Sequence, residues 1–198
     1  MAKRVAIVSV VFIVGLTIVS SQSLGLGKCP KYSTMKTLDL KKFEGQWYEV
    51  ERSFYLMEMF STCTSLTFST KPSGSMKVTV KSIGRLTGSP SVSLGTAVPI
   101  KNGSAQLDYR VDTKFPPAVS RMMPGSGRYL VLDTDYDNYA ILWSCSNMGL
   151  MYSDQIWVLG RDREIPVWAR AVIYSRLTEL KLDSDRLTLT RHKNCPDF

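Results

Sequence analysis

The sequence predicts an all-β protein, an antiparallel barrel of eight strands followed by one α-helix. Eight short segments alternate apolar and polar residues, as half-buried strands do. Turn-forming residues separate these segments, and a segment near the C-terminus has helical periodicity instead. Because most connections between the strands are short, the pattern favours an antiparallel meander over a parallel fold with crossover helices.

The predicted strands follow one another between residues 46 and 160. They comprise residues 46–53, 62–70, 76–83, 91–100, 105–112, 128–133, 139–145 and 154–160. Asn102-Gly103 separates the fourth strand from the fifth and predicts a type I′ hairpin turn at an exposed tip, with positive φ at both residues. Closing eight strands into a barrel removes the exposed sheet edges and leaves room for one small ligand. An open sandwich is the alternative architecture.

A helix is expected at residues 166–181, where the period of the apolar residues changes. Pro166 suits the first helical turn. Apolar side chains at helical spacing form one stripe, which comprises Val167, Ala171, Tyr174 and either Leu177 or Thr178. One more short strand is expected at residues 186–190.

The first residues are expected to lie outside this domain. Lys3 and Arg4 precede an uncharged apolar run at residues 5–19, and small polar residues follow it. This layout is typical of a secretory signal peptide cleaved near Ser21 or Ser23. A membrane anchor is the alternative, but the run is shorter than the roughly 20 residues that a spanning helix needs. The sequence therefore predicts a signal peptide at about 1–21 and a single secreted, extracellular domain at 22–198.

The chain has four cysteines, which can form disulfides if the protein is secreted. They are Cys29, Cys63, Cys145 and Cys195. An even number in an oxidising compartment predicts two disulfides, for which the sequence leaves three pairings open. There is no CxxC pair and His192 is the single histidine, so neither a zinc site nor a required cofactor is predicted.

The charge distribution and the supply of catalytic residue types indicate neither nucleic-acid binding nor catalysis. The formal net charge is +8, but the basic residues are scattered, which is typical of a solvated surface and does not indicate a nucleic-acid partner. Weak attraction to anionic membranes is the alternative. With one histidine, and with all cysteines expected in disulfides, no catalytic triad or thiol nucleophile is predicted. The protein is therefore not expected to be an enzyme.

Three motifs resemble those of the lipocalin family. GQW (45–47) matches the Gly-x-Trp motif, TDY (134–136) matches the second motif, and Arg161 after the last predicted barrel strand matches the third. The motifs occur in the expected order and at the expected separations. Over residues 29–195 the resemblance is greatest to the branch of apolipoprotein D and the insect bilin-binding and Lazarillo-type proteins, which share TDYDNYA, the helix and a final NCP.

The resemblance implies an up-and-down barrel with one closed end, one open end and the helix packed outside. It implies that Cys29 pairs with Cys145 and that Cys63 pairs with Cys195.

The resemblance also implies structural roles for the motif residues. The guanidinium of Arg161 should lie over the ring of Trp47 at the closed end, a contact worth roughly 0.5–2 kcal/mol. The residues expected to be structural are Gly45, Trp47, Asp135, Tyr136 and Arg161.

Apolar residues are concentrated in three predicted loops that should meet at the open end. These loops are residues 54–60, 113–127 and 146–153, and they contain six of the nine methionines. The predicted rim residues are Phe54, Leu56, Met57, Met59, Phe60, Phe115, Met122, Met123, Met148 and Met151. Three interpretations are open: a lid folded over the cavity, an exposed patch that docks on a membrane, lipid particle or receptor, or methionines that reduce oxidised lipids.

Strand alternation predicts the walls of a ligand cavity. The predicted lining residues are Leu66, Phe68, Val78, Val80, Leu107, Tyr109, Gln155 and Trp157. The resemblance implies inward positions for Phe68, Val80 and Trp157, and the alternative is that they face outward or pack under the helix. The direction of the face that bears Tyr139, Ile141 and Trp143 stays open.

The walls contain no predicted buried charge pair, so the expected ligand is a small hydrophobic molecule: a fatty acid, sterol, retinoid, terpenoid or bilin. The sequence therefore predicts a carrier. Asn102-Gly103-Ser104 is also a sequon for N-glycosylation, with a plain turn as the alternative.

Overall fold

The computed structural model describes residues 24–54, 61–116 and 125–197 of the 198-residue chain. The predicted signal peptide lies outside these residues. The strands are β1 (Leu24–Leu26), β2 (Gly45–Ser53), β3 (Ser61–Thr70), β4 (Met76–Gly84), β5 (Pro90–Pro99), β6 (Gln106–Val111), β7 (Gly127–Thr134), β8 (Tyr139–Met148), β9 (Met151–Gly160) and β10 (Leu187–Leu189). The α-helices are α1 (Leu40–Phe43) and α2 (Val167–Glu179), and a 3-10 turn spans Ser184–Arg186. Among the described residues, no helix combines the length and apolar character needed to cross a membrane.

The strands from β2 to β9 form a closed antiparallel barrel. Each pairs with the next along the chain, and β2 also pairs with β9, which joins the two edges. The predicted barrel is confirmed, and the open sandwich is excluded. The observed strand bounds differ from the predicted ones by at most three residues.

Two short strands extend the barrel wall. β10, which was predicted, pairs with β2, and β1 pairs with β9. β1 was not predicted, because three residues are too few to show a period of two.

Two predicted turns differ from the observed ones. The predicted loop at 146–153 is a β-hairpin, in which Met148 pairs with Met151 across a two-residue turn that begins with Gly149 at φ +70°. The turn before β6 spans residues 101–104, and only Gly103 has a positive φ. The type I′ prediction is therefore wrong, because a longer connection between β5 and β6 relaxes the demand on Asn102.

Helix α2 packs on the outside of the barrel, as predicted, but it buries a different stripe. Val167 and Ala171 are exposed. The buried stripe comprises Ala169, Ile173 and Leu177. It covers an outer core that includes Ile141, Trp143, Ile156 and Val158. The face of β8 that bears Ile141 and Trp143 therefore points outward, under the helix.

Two disulfides tie the chain ends to the barrel. Cys29 is bonded to Cys145 of β8, and Cys63 of β3 is bonded to Cys195 in the tail. This is the pairing that the resemblance implies. Two disulfides fit a protein of an oxidising, extracellular environment.

Candidate ligand-binding cavity

The barrel encloses a cavity of about 210 Å³. Seven of the predicted lining residues form part of its wall: Leu66, Phe68, Val78, Val80, Leu107, Tyr109 and Trp157. The cavity is also lined by Glu49, Thr64, Ser93, Ala97, Val111, Gly125, Tyr129, Leu142 and Leu159. Most of this surface is apolar, so the cavity suits a hydrophobic guest.

Gln155 is not among the lining residues, in contrast to the prediction. It lies on the same strand as Trp157 but two residues nearer to the open end. Its side-chain amide donates a hydrogen bond to the Ser153 hydroxyl, at 3.0 Å. Strand alternation predicts a face correctly, but it does not indicate how far along that face the cavity extends.

Three aromatic rings form one side of the wall. The centroids of Tyr109 and Tyr129 are 5.7 Å apart, and those of Tyr129 and Trp157 are 5.4 Å apart. Gly95 makes room for this arrangement, because a Cβ there would lie 2.4 Å from the Tyr109 ring. Tyr129 was missed by the sequence analysis, although its alternation with Val131 was visible in the sequence.

A buried ion pair lies beside the cavity, in contrast to the prediction that there is none; Glu49 lines the wall, and its partner Arg52 is not a lining residue. Arg52 Nη1 lies 2.6 Å from Glu49 Oε1, and the two side chains are 13% and 3% exposed. The register of β2 against β9 shifts between Glu49 and Glu51, which leaves Val50 in a bulge. Beyond the bulge Arg52 pairs with Trp157, so both side chains point inward.

The environment of Glu49 perturbs its titration. Burial raises the pKa of the Glu49 carboxyl, and the positive charge of Arg52 opposes this rise. Glu49 Oε1 also accepts a hydrogen bond from the Thr190 hydroxyl, at 3.0 Å. His192 Nε2–H donates to the Glu49 carbonyl at 2.7 Å, so the C-terminal tail supports this part of β2.

Thr64 is the second polar residue on this part of the wall. It is 7% exposed, and its hydroxyl oxygen has no hydrogen-bond partner among the described residues. Its alternation with Leu66 and Phe68 could have identified it from the sequence. Leaving a buried hydroxyl without a hydrogen-bond partner costs about 1–3 kcal/mol, and such groups are rare in folded proteins.

The closed end of the barrel is built around Trp47 and Arg161. The guanidinium carbon of Arg161 lies 3.8 Å from the Trp47 ring centroid, and the indole N–H donates to the Phe43 carbonyl of α1 at 3.0 Å. Gly45 has φ +97°, and a Cβ there would lie 3.2 Å from Arg161 Nη1. The motif glycine therefore provides both the backbone conformation and the space that the guanidinium needs.

The second motif forms a turn beside this plug. Asp135 Oδ1 accepts hydrogen bonds from the backbone N–H groups of Asp137, Asn138 and Tyr139. Burial raises the pKa of Asp135, but these hydrogen bonds outweigh it, and the pKa lies below its ordinary value. Tyr136 has φ +69°, and its carbonyl accepts from Arg161 Nε at 2.8 Å. The contacts of Asp135 and Tyr136 serve the turn and lie apart from the cavity.

A family model described as a lipocalin-like domain matches residues 38–192, which include all three motifs. This chain belongs to the lipocalin family. Apolipoprotein D of Cavia porcellus is 34% identical over 178 residues, which cover 89% of each chain. The Lazarillo protein of Schistocerca americana is 24% identical, over 82% of this chain and 73% of the relative.

Solved structures have the same fold as this lipocalin. Insecticyanin from the tobacco hornworm Manduca sexta aligns with a TM-score of 0.75 at 19% identity, over 88% of this chain and 92% of that one. Lobster apocrustacyanin A1 aligns with a TM-score of 0.71 at 20% identity, over 88% and 94%.

The open end of the lipocalin exposes apolar side chains where the structure describes it. Phe115, Met148 and Met151 are exposed, as predicted for rim residues, and Phe54 is half-buried. Six predicted rim residues lie outside the described residues: Leu56, Met57, Met59, Phe60, Met122 and Met123. The exposed Leu26 of β1 and Leu86 after β4 were not predicted, because isolated leucines have no pattern to reveal them.

The residue types that most often bind metal ions or act as nucleophiles have other roles in the described part of the chain. Within the described ranges, no group of three or more His, Cys, Asp or Glu side chains could hold a metal ion. All four cysteines are in disulfides. His192 is engaged with the Glu49 carbonyl in the tail.

Proposed function

We propose that this lipocalin is a secreted carrier that binds one small hydrophobic molecule in its barrel cavity. The observation that carries the proposal is the cavity itself: a mostly apolar hollow, closed at one end by Trp47 and Arg161. Burying apolar ligand surface there contributes roughly 25 cal/mol per Å². Because the disulfide-bonded barrel forms the wall, little of this free energy is spent on ordering the site.

The size of the cavity narrows the range of ligands. Its volume of about 210 Å³ lies below the roughly 300–1,000 Å³ usual for ligand pockets. A slender chain, a retinoid or a terpenoid therefore suits the cavity better than a bulky tetrapyrrole does.

Replacement of Trp157 tests the carrier function. Trp157→Ala removes a large part of the wall and should weaken binding of a fluorescent retinoid or fatty-chain probe about tenfold or more, since full burial of one aromatic side chain is worth a few kcal/mol. Trp168→Ala is the matched control, because Trp168 is 56% exposed on α2 and lies outside the cavity wall. Thermal unfolding of both variants should stay cooperative. Equal affinities of the two variants would remove Trp157 from the binding site.

The proposal includes export through a cleaved signal peptide and N-glycosylation at Asn102. The two disulfides and the N-terminal sequence pattern support cleavage of a signal peptide at about residue 21. The Asn102 side chain is exposed in the turn before β6, at the closed end, where a glycan would leave the open end clear. The mass of the exported chain, before and after glycosidase treatment and in an Asn102→Gln variant, tests both points.

The exposed rim favours a second function, docking of the open end on a lipid surface. Leu150 at the tip of the β8–β9 hairpin is 88% exposed, and Leu26 and Leu86 are nearly as exposed. Ligand-free protein should float with liposomes, and Leu150→Ser should reduce the floated fraction. Val167→Ser is the matched control, because Val167 is 87% exposed on α2, away from the rim. Equal flotation of both variants would argue against docking.

The antioxidant function is the other alternative. It predicts that exposure of the protein to lipid hydroperoxide converts Met148 and Met151 to methionine sulfoxide.

A further inference from the structure

Glu49 and Thr64 form a polar corner in an otherwise apolar part of the cavity wall. In the register of β2 against β3, Tyr48 pairs with Ser65. Glu49 and Thr64 are the next residues along the two strands, beyond this last pair, and both line the cavity. We refer to these two residues as the polar corner.

The polar corner has hydrogen-bonding capacity left over. In the part of the chain that the structure describes, the Thr64 hydroxyl has no hydrogen-bond partner, and rotation about χ1 can turn it toward the cavity. Glu49 uses Oε1 for Arg52 and Thr190, and a carboxylate has about four acceptor sites on its two oxygens. Ser93 is another hydroxyl on the wall, and it interacts with the Tyr109 side chain.

The charge around the polar corner selects the kind of polar group that can bind there. Arg52 is already paired with Glu49 at 2.6 Å, so the ion pair is neutral as a unit. None of the described residues that line the cavity is a lysine or an arginine. A ligand carboxylate would therefore face the Glu49 carboxylate without a cation of its own, which is unfavourable in a poorly solvated cavity. A neutral hydroxyl can donate to Glu49 and accept from Thr64.

We propose that the ligand is an amphipathic alcohol, an apolar chain or ring system whose hydroxyl group hydrogen bonds to Thr64 and Glu49. This proposal rests on the proposed carrier function and narrows its ligand from any hydrophobic molecule to a hydroxylated one. The ligand hydroxyl would satisfy the buried Thr64 hydroxyl, and the rest of the molecule would contact the aromatic and aliphatic wall.

A ligand series of equal chain length tests the proposal. A straight-chain alcohol, the corresponding alkane and the corresponding carboxylate compete with Nile red, a neutral fluorescent probe, for the purified disulfide-bonded protein. The alcohol should bind about tenfold more tightly than the other two. Thr64→Val should abolish most of this preference, with little change in alkane affinity. Thr64→Ser, which keeps the hydroxyl, and Thr67→Val, which removes a hydroxyl of the same strand outside the cavity wall, should retain it.

The thermal stability of Thr64→Val provides a second readout. Removing a buried hydroxyl without a partner should leave the ligand-free melting temperature unchanged or raise it, so weaker alcohol binding would not result from misfolding. Equal affinities for alcohol and alkane, or an unchanged preference in Thr64→Val, would overturn the proposed role of the polar corner while leaving the carrier function intact. If no member of the series displaces the probe, the carrier function fails as well.

Discussion

One side chain, that of Arg161, donates hydrogen bonds to four backbone carbonyls at the closed end of the barrel. The acceptors are the carbonyls of Lys42, Glu44, Gln46 and Tyr136, at 2.8–3.0 Å. Burial lowers the pKa of Arg161, but a guanidinium stays charged at any ordinary pH. Arg161 therefore joins α1, β2 and the turn before β8, and it holds them over the Trp47 ring.

Arg161→Lys should lower the free energy of unfolding by roughly 2–4 kcal/mol, because an ammonium lacks the planar fork that reaches several carbonyls. Urea unfolding followed by circular dichroism measures the change. Arg163→Lys is the control: Arg163 pairs with the fully exposed Asp197, so a change within about 0.5 kcal/mol is expected. Similar losses in both variants would show that the closed end does not depend on the guanidinium.

Asp135 should make the fold sensitive to acid. Its pKa in the folded protein is lowered, so the carboxylate contributes stability above its unfolded pKa of about 3.9 and loses it as the pH falls through the folded value. From neutral pH to about pH 3, the wild type should lose more stability than Asp135→Asn does. Melting temperatures measured over this range test the prediction, and parallel curves would contradict it.

At the residue scale, the motifs predicted the closed end, but the sequence did not reveal the ion pair of Glu49 and Arg52 beside the cavity. Strict alternation along β2 places Arg52 on the outer face, with Tyr48 and Val50. The bulge at Val50 reverses this assignment, and a bulge depends on the pairing with β9 rather than on local sequence. Sequence patterns therefore identified the strand, but they did not show on which face of the barrel the side chains of its last residues lie.

At the element scale, periodicity predicted every barrel strand and α2, but not which face is buried. β5 has its small residues inside and its large ones outside: Ser93 and Ala97 line the cavity, whereas Val92, Leu94 and Val98 are exposed. The small inward residues leave space for Tyr109 and the cavity. Helix α2 is apolar on two sides, with Trp168 and Val172 exposed opposite Ile173, so tertiary packing decides its orientation.

The orientation of α2 can be tested with two adjacent residues. Ile173 is buried against the barrel and Val172 is exposed. Ile173→Ala should lower the free energy of unfolding by about 2–4 kcal/mol, and Val172→Ala by less than about 1 kcal/mol. Urea unfolding of the two variants gives both values. A larger loss for Val172→Ala would mean that the helix packs through the face that bears Trp168 and Val172.

At the scale of the whole molecule, the lipocalin is a cup with unequal ends. Trp47 and Arg161 close the floor, two disulfides tie both chain ends to the wall, and the other end exposes apolar side chains. The sequence predicted this overall form, because eight strands and the family motifs determine the closure of the barrel. It did not predict the size of the cavity or its polar corner, because both depend on how side chains from different strands meet.

Mass spectrometry of the molecule released from the exported, purified protein tests the central claim most directly. The protein should yield close to one small hydrophobic molecule per chain, and the stripped protein should bind that molecule again, with the Trp157→Ala variant binding it less tightly. A protein that is exported without a guest, and that takes up no lipid, retinoid or terpenoid when these are supplied, would contradict the carrier function.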